Sequence, residues 1–184
     1  LLTYREEVED IANSAVKELQ IEEKITAISE DWSDEQLAFA QFKQRGQITL
    51  NSGLTAELME KVEETLMGLG SMLASRYVTP FKENVTSWVA KLSAVSDVLE
   101  IWIQVQNMWI YLEAVFTSGD IAKQLPQESK RFGGIDSNWE KIMVKALEVR
   151  NVISYIVGND VLAELLPHLL EQLELCQKAL SGYL

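Results

Sequence analysis

Between Phe81 and Phe116 the chain runs for a long stretch without a glycine or a proline. Few sequence features restrict a fold more, because nothing there need interrupt a helix. Val98, Trp102, Val105, Trp109, Leu112 and Phe116 recur at alternating spacings of four and three, which stacks them on one helix face. The rhythm continues backwards through Leu99, Val95, Leu92, Trp88, Val85 and Phe81. At 1.5 Å per residue such a helix is roughly 54 Å long. Between Val98 and Phe116 the only charges are Glu100 and Glu113, and Ile101, Ile103, Met108, Ile110 and Val115 occupy other faces. A helix apolar nearly all round has to be covered on several sides. The stretch therefore reads as scaffold, with Trp88, Leu92, Trp102, Val105, Trp109, Leu112, Phe116 and, further on, Trp139 as its core residues.

Composition narrows the class. Of 184 residues 47% are hydrophobic, five of them tryptophan, enough for one packed domain or a slice of something larger. The formal net charge is -12, and about nine of those units fall in the first sixty-four residues. Such a face repels phosphate backbones and acidic filament surfaces, so neither nucleic acid nor direct microtubule binding is expected. Cys176 is alone, which fits a reducing compartment, and its spacing to Leu173 and Leu180 makes it a small core residue. No signal-peptide pattern opens the chain and no apolar run approaches 18 residues, so no membrane partner is expected. Asn84-Val85-Thr86 matches a glycosylation acceptor by chance. Helical periodicity runs into both termini, as in a segment cut from a longer chain.

In order, the pattern predicts a helix over 5–31, with Val8, Ala12, Ala15, Leu19, Ile25 and Ile28 on roughly one side and Trp32 closing it. Residues 33–51 read two ways. Ser33-Asp34-Glu35-Gln36 can be a capping box opening a helix. Alternation around Leu37, Phe39, Ile48 and Leu50, with Lys43 to Gly46 between, favours a hairpin over 37–51. A helix over 55–75 follows, capped by Thr55, and close packing is the expected compensation for its Gly68 and Gly70. Thr79-Pro80 opens the long helix, 80–117, and Gly119 suits the turn that ends it. A short helix over 121–131 stops at Gly133-Gly134, Asp136 caps a helix over 136–150, and a last helix spans 160–183, where Pro167 introduces a kink. The expected fold class is mainly α: an elongated bundle of about five helices with one long central helix and a small β-hairpin, all in one segment, 1–184.

Chemistry is hard to place in this chain. It has no G-x-x-x-x-G-K-[ST] loop to cradle phosphates. One histidine, His168, and one cysteine, two turns apart on one helix, make neither a zinc site nor a Cys-His pair. Paired E-x-x-H helices for a di-iron centre are missing, and aromatics do not alternate with Lys or Arg as on a nucleic-acid platform. No catalytic, metal or cofactor-binding residue is predicted.

The run W-I-Q-V-Q-N-M-W-I-Y-L-E-A-V-F-T-S-G-D-I-A-K-Q-L-P-Q-E-S-K-R-F-G-G-I-D-S-N-W, Trp102 to Trp139, resembles the linker region of dynein heavy chains, their N-terminal region 2. Its family pattern W-x-x-V-Q-x-x-W-x-Y-L-E-x-I-F is matched from Trp102 to Phe116, with Val115 for the commoner isoleucine. Asp120-Ile121, Leu125-Pro126, Glu128, Phe132 and Ile135-Asp136 continue the match. The closing L-E-L-C-Q-K-A-L-S-G-Y-L, Leu173 to Leu184, is similar to the family's L-E-x-I-Q-K-x-L-x-x-Y-L, and A-S-R-Y-V-T-P-F upstream also fits. The wording is more similar to axonemal, outer-arm-type heavy chains than to the cytoplasmic one. The resemblance also favours the hairpin.

What this resemblance implies is a mechanical role, in an axoneme. The linker joins the tail to the ring of AAA+ modules of the same heavy chain and bends across that ring during the ATP cycle. ATP and Mg belong to the ring, outside this segment, and the microtubule is reached only through the parent motor. Ile103, Ile110, Lys130 and Arg131 are the candidate ring or partner contacts. A different class, a stand-alone scaffold or tail module binding dynein accessory chains, remains as the alternative.

Overall fold

The computed structural model describes residues 2–183. Helix α1 is Leu2–Ser33; strands β1 (Phe39–Ala40) and β2 (Thr49–Leu50) follow; then come α2 (Ser52–Leu73), a 3-10 turn at Thr79–Phe81, and α3 (Lys82–Phe116). The second half holds α4 (Asp120–Gln124), α5 (Pro126–Val149), α6 (Val152–Ile156) and α7 (Asp160–Tyr183). The fold is mainly α, and its strands form an antiparallel hairpin with Phe39 opposite Leu50 and Ala40 opposite Thr49.

The 35-residue α3 is the axis, and α2, α7, α5 and α6 all pack onto it. Its buried residues run from Val85 through Leu92, Trp102, Val105, Trp109 and Leu112 to Phe116. Trp88, expected among them, sits half-buried at the rim with the Lys91 ammonium 4.7 Å from its ring centroid. An indole on the outer margin keeps one face for a cation and one for the core. The accessible surface is 11041 Å². A globular chain of this mass exposes about 8,900 Å², so elements stand away from the bundle.

Several helix boundaries depart from the periodicity. Asn51, not Thr55, caps α2, its side chain accepting from the Leu54 amide at 3.0 Å, while Thr55 is buried a turn inside. A Cβ built on Gly68 or Gly70 meets nothing within 4 Å, so close packing does not explain those glycines. The expected break at Gly133-Gly134 is absent: α5 runs straight through, and Asp136 is an interior residue, not a cap. Phe132 and Ile135 on either side are buried, and the Phe132 ring stacks on Phe116 at 5.4 Å. Packing of those two residues outweighs a helical cost of about 1 kcal/mol per glycine. The real break falls earlier, at Leu125-Pro126, where proline takes the first helical position of α5.

Helix α6 leaves no mark in the periodicity, because five residues are too few to show one. Asn151 makes it possible by serving two helices at once. Its Oδ1 accepts from the Ser154 amide at 2.9 Å, capping α6, and its Nδ2 donates to the Ser33 carbonyl at 2.7 Å, at the end of α1. Leu37 N–H to the Arg150 carbonyl and Val152 N–H to the Glu35 carbonyl complete the tie. Ser33 thus closes α1 and opens no second helix; its hydroxyl donates back to the Glu30 carbonyl.

Helix α1 also corrects the single-stripe reading. At roughly 100° per residue, Val8, Ala15 and Leu19 point one way while Ile25 and Ile28 point well round the helix. Only the second set, with Ile21 and Trp32, is packed.

Candidate functional site

The hairpin meets α3 and α5 at a junction where polar and aromatic groups concentrate. Between the strands the chain turns on Lys43 (φ 49°) and Gly46 (φ 91°), both left-handed, with the Phe42 amide donating to the Gly46 carbonyl. This turn projects Phe42, Lys43 and Arg45 onto the C-terminal half of α3. The outer edge of β2 would be left with unpaired backbone groups, but Gln106 of α3 acts in place of a neighbouring strand. Its Oε1 accepts from the Leu50 amide at 2.7 Å and its Nε2 donates to the Leu50 carbonyl at 2.9 Å. From α5, the Trp139 indole N–H donates to the Ile48 carbonyl at 2.9 Å. Two side chains thereby fix the position of a two-residue strand, satisfying buried backbone groups that would otherwise be costly.

Beside that clasp the aromatic rings pack in series, Phe42 tilted against Trp109 and Trp109 stacked on Trp139. Phe42 lies 4.7 Å from Trp109, and Trp109 lies 5.4 Å from Trp139. The Arg45 guanidinium covers the Trp109 face at 5.4 Å and reaches Asp136 with both terminal nitrogens, at 3.0 and 2.9 Å. The Trp109 indole N–H donates to the same Asp136 Oδ1 at 2.9 Å. Glu140 lies 3.3 Å from Arg45, and Glu113, 2% exposed, takes Lys43 at 2.7 Å on one oxygen and faces Arg45 at 3.7 Å with the other. The Asp136 hydrogen bonds hold the Arg45 guanidinium above its ordinary pKa, against the opposing effect of burial. Two cations thus neutralise most of three carboxylates, and the network ties residues 43–45 to α3 and α5 at once. Among the described residues no cluster of His, Cys, Asp and Glu could hold a metal.

Of the predicted core residues, Leu92, Trp102, Val105, Trp109, Leu112 and Trp139 are fully buried and Phe116 nearly so. Trp102 packs 5.9 Å from Tyr155, but unlike Trp109 and Trp139 its indole N–H has no acceptor. The candidate contacts divide. Ile110 is 36% exposed, Ile103 is half-buried against the core, and Lys130 and Arg131 are exposed beside His168 in a groove between α5 and α7. They do not form one patch with the junction. Periodicity missed Gln106, Glu113 and Asp136, and with them Lys43 and Arg45. The signal was present, since Gln106 and Glu113 occupy the 102-106-109-113-116 series on the buried face of α3, where a polar residue needs a partner.

The profile of the family described as Dynein heavy chain, N-terminal region 2, matches residues 1–184. This chain belongs to that dynein heavy chain family. It is 54% identical to dynein axonemal heavy chain 8 of Mus musculus and 52% identical to dynein axonemal heavy chain 5 of Rattus norvegicus. To the dynein gamma chain, flagellar outer arm, of Chlamydomonas reinhardtii it is 53% identical. Each match covers 100% of this chain and only 4% or 5% of the relative, so the chain spans about a twentieth of a dynein heavy chain's length. Gln106, Trp109, Glu113, Asp136 and Trp139, the residues of the dynein-like run, are those that hold the hairpin. No helix among the described residues is long and apolar enough to cross a membrane.

Proposed function

We propose that this segment is the mechanical linker element of its parent motor, transmitting ATP-driven rearrangement of an AAA+ ring to the tail within an axoneme. The observation that carries the reading is α3 itself: 35 residues of unbroken helix, covered by four other helices and cross-tied to the hairpin at its C-terminal half. A close-packed rod of this kind transmits displacement with little internal deformation. ATP and Mg act in the ring, and the microtubule is engaged elsewhere in the heavy chain. Nucleotide state then selects between docked positions of this segment, each tenfold shift requiring about 1.4 kcal/mol of differential contact. Exposed Ile110, Lys130 and Arg131, with half-buried Ile103, are the contacts proposed for the ring or tail.

Stiffness is the property to test. Gln104 and Asn107 are exposed on α3, so Gln104→Gly with Asn107→Gly leaves the helix softer than the corresponding alanine pair by about 1 kcal/mol per site without disturbing the core. In the parent motor this pair should slow microtubule gliding while nucleotide binding by the ring persists, and the corresponding alanine pair should glide normally. Equal velocities for the glycine and alanine pairs would overturn the proposal.

A further inference from the structure

The first twenty residues of α1 carry an apolar stripe that nothing among the described residues covers. Tyr4, Val8, Ile11, Ala15 and Leu19 follow a four-three-four-four spacing, and Tyr4 and Ile11 are 72% and 70% exposed. The direction of this stripe excludes α2 as its cover. Helix α1 meets the end of α2 through Lys17, Gln20, Ile21 and Lys24, which line a cleft with Gly68 and Met72. On the helical wheel those four positions lie roughly 170° from the stripe. The packed set Ile21, Ile25, Ile28 and Trp32 lies roughly 110° from it. Asp10, the residue within electrostatic reach of Arg76 in the turn after α2, is also on the far side. Bending α1 further onto its own bundle would bury the wrong face.

Charge decides what kind of surface fits. Glu7, Glu18, Glu22 and Glu23 border the stripe, and Arg5 is the single cation on its margins. A second copy would bring like charges together, and an anionic lipid surface would be repelled. We infer that the amino-terminal half of α1 is a docking face for an amphipathic helix of another polypeptide segment whose apolar seam is flanked by Lys or Arg. The seam covers Tyr4, Val8, Ile11, Ala15 and Leu19 in helix-to-helix packing, and the basic flanks meet the four glutamates.

The test is fluorescence anisotropy with two synthetic helical peptides of about three heptads, both with leucine at a and d, one with lysine and the other with glutamate at e and g. The lysine peptide should bind this chain and the glutamate peptide should not. Ile11→Asp should weaken binding at least about tenfold, whereas Asn13→Asp, the same charge on the α2 side, should leave it within about twofold. Circular dichroism verifies that both variants keep the parent helicity. In the parent heavy chain, a photo-crosslinker at Ile11 should couple to a segment whose sequence is an amphipathic helix with Lys or Arg flanks. Equal binding of the two peptides, indifference to Ile11→Asp, self-association that Ile11→Asp abolishes, or preferential adsorption to phosphatidylserine vesicles would each overturn the inference.

Discussion

The hairpin junction and the amino-terminal half of α1 place apolar residues in opposite circumstances. At the junction, Trp109 and Trp139 are fully enclosed, and each indole N–H is paired. Along α1, Ile11 and Tyr4 are among the most exposed large side chains of the chain. Both regions show apolar residues at helical spacing, so periodicity alone scores them alike. What separates them is company. The hairpin turn and α5 converge on Trp109 of α3 from different parts of the sequence, while α1 offers its stripe to a side where none of the described residues lies. A helical stripe records an apolar face and does not record what lies against it.

The largest break in that contrast comes from removing the stacked indole. Trp109→Ala should cost about 4 kcal/mol in denaturant unfolding, because it empties a buried site and removes the indole donor to Asp136 Oδ1. A change under about 1 kcal/mol would mean the junction is as loosely held as α1. Next, Arg45→Met keeps much of the aliphatic cover over Trp109 but leaves Asp136 and one Glu113 oxygen without a counter-charge. A loss of about 3 kcal/mol is expected, with hydrogen exchange rising first at residues 41–48.

Tyr155, packed against Trp102, tests whether the tight packing extends beyond the junction. Burial pushes its phenol up to about 12, and its hydroxyl donates to the Ile142 carbonyl at 3.0 Å. The unfolded chain loses this proton near 10, so between about 10 and 12 the folded state holds a proton the unfolded state has released, and stability falls as pH rises. Tyr155→Phe should cost about 1 kcal/mol at neutral pH and remove that part of the alkaline decline. Gly70→Ala should act in the other direction, stabilising by about 1 kcal/mol, since open space surrounds the site. Smallest of all, Ile11→Asp should change unfolding free energy by less than about 0.5 kcal/mol despite replacing isoleucine with a charge. A large loss there would show that the stripe already has a partner within the chain.

Much of the fold could be read in advance. The unbroken run from Phe81 to Phe116 specified α3, because 3.6-residue periodicity without glycine or proline leaves few alternatives. The four-three repeat of Leu162, Leu166, Leu169, Leu173, Cys176 and Leu180 specified α7, and Pro167 near its start did not interrupt it. Alternation around residues 37–51 favoured a hairpin without excluding a helix opened by Ser33, and the wording of the run from Trp102 to Trp139 was enough for the family. Local preference failed wherever long-range packing opposed it. Gly133-Gly134 lies inside α5 because Phe132 and Ile135 are buried on either side. Asn51 rather than Thr55 caps α2, and α6 exists because Asn151 bridges two helix ends.

The functional geometry depended still more on tertiary structure. Gln106, Glu113 and Asp136 are polar letters in a helical pattern until the hairpin brings the Leu50 backbone, Lys43 and Arg45 against them from some 56 to 91 residues away in sequence. By itself the sequence determined which segments are helical and which faces are apolar, since those follow from local spacing. Only the tertiary structure decided which polar groups are partnered and which apolar stripe stays open, because both depend on what lies opposite in space.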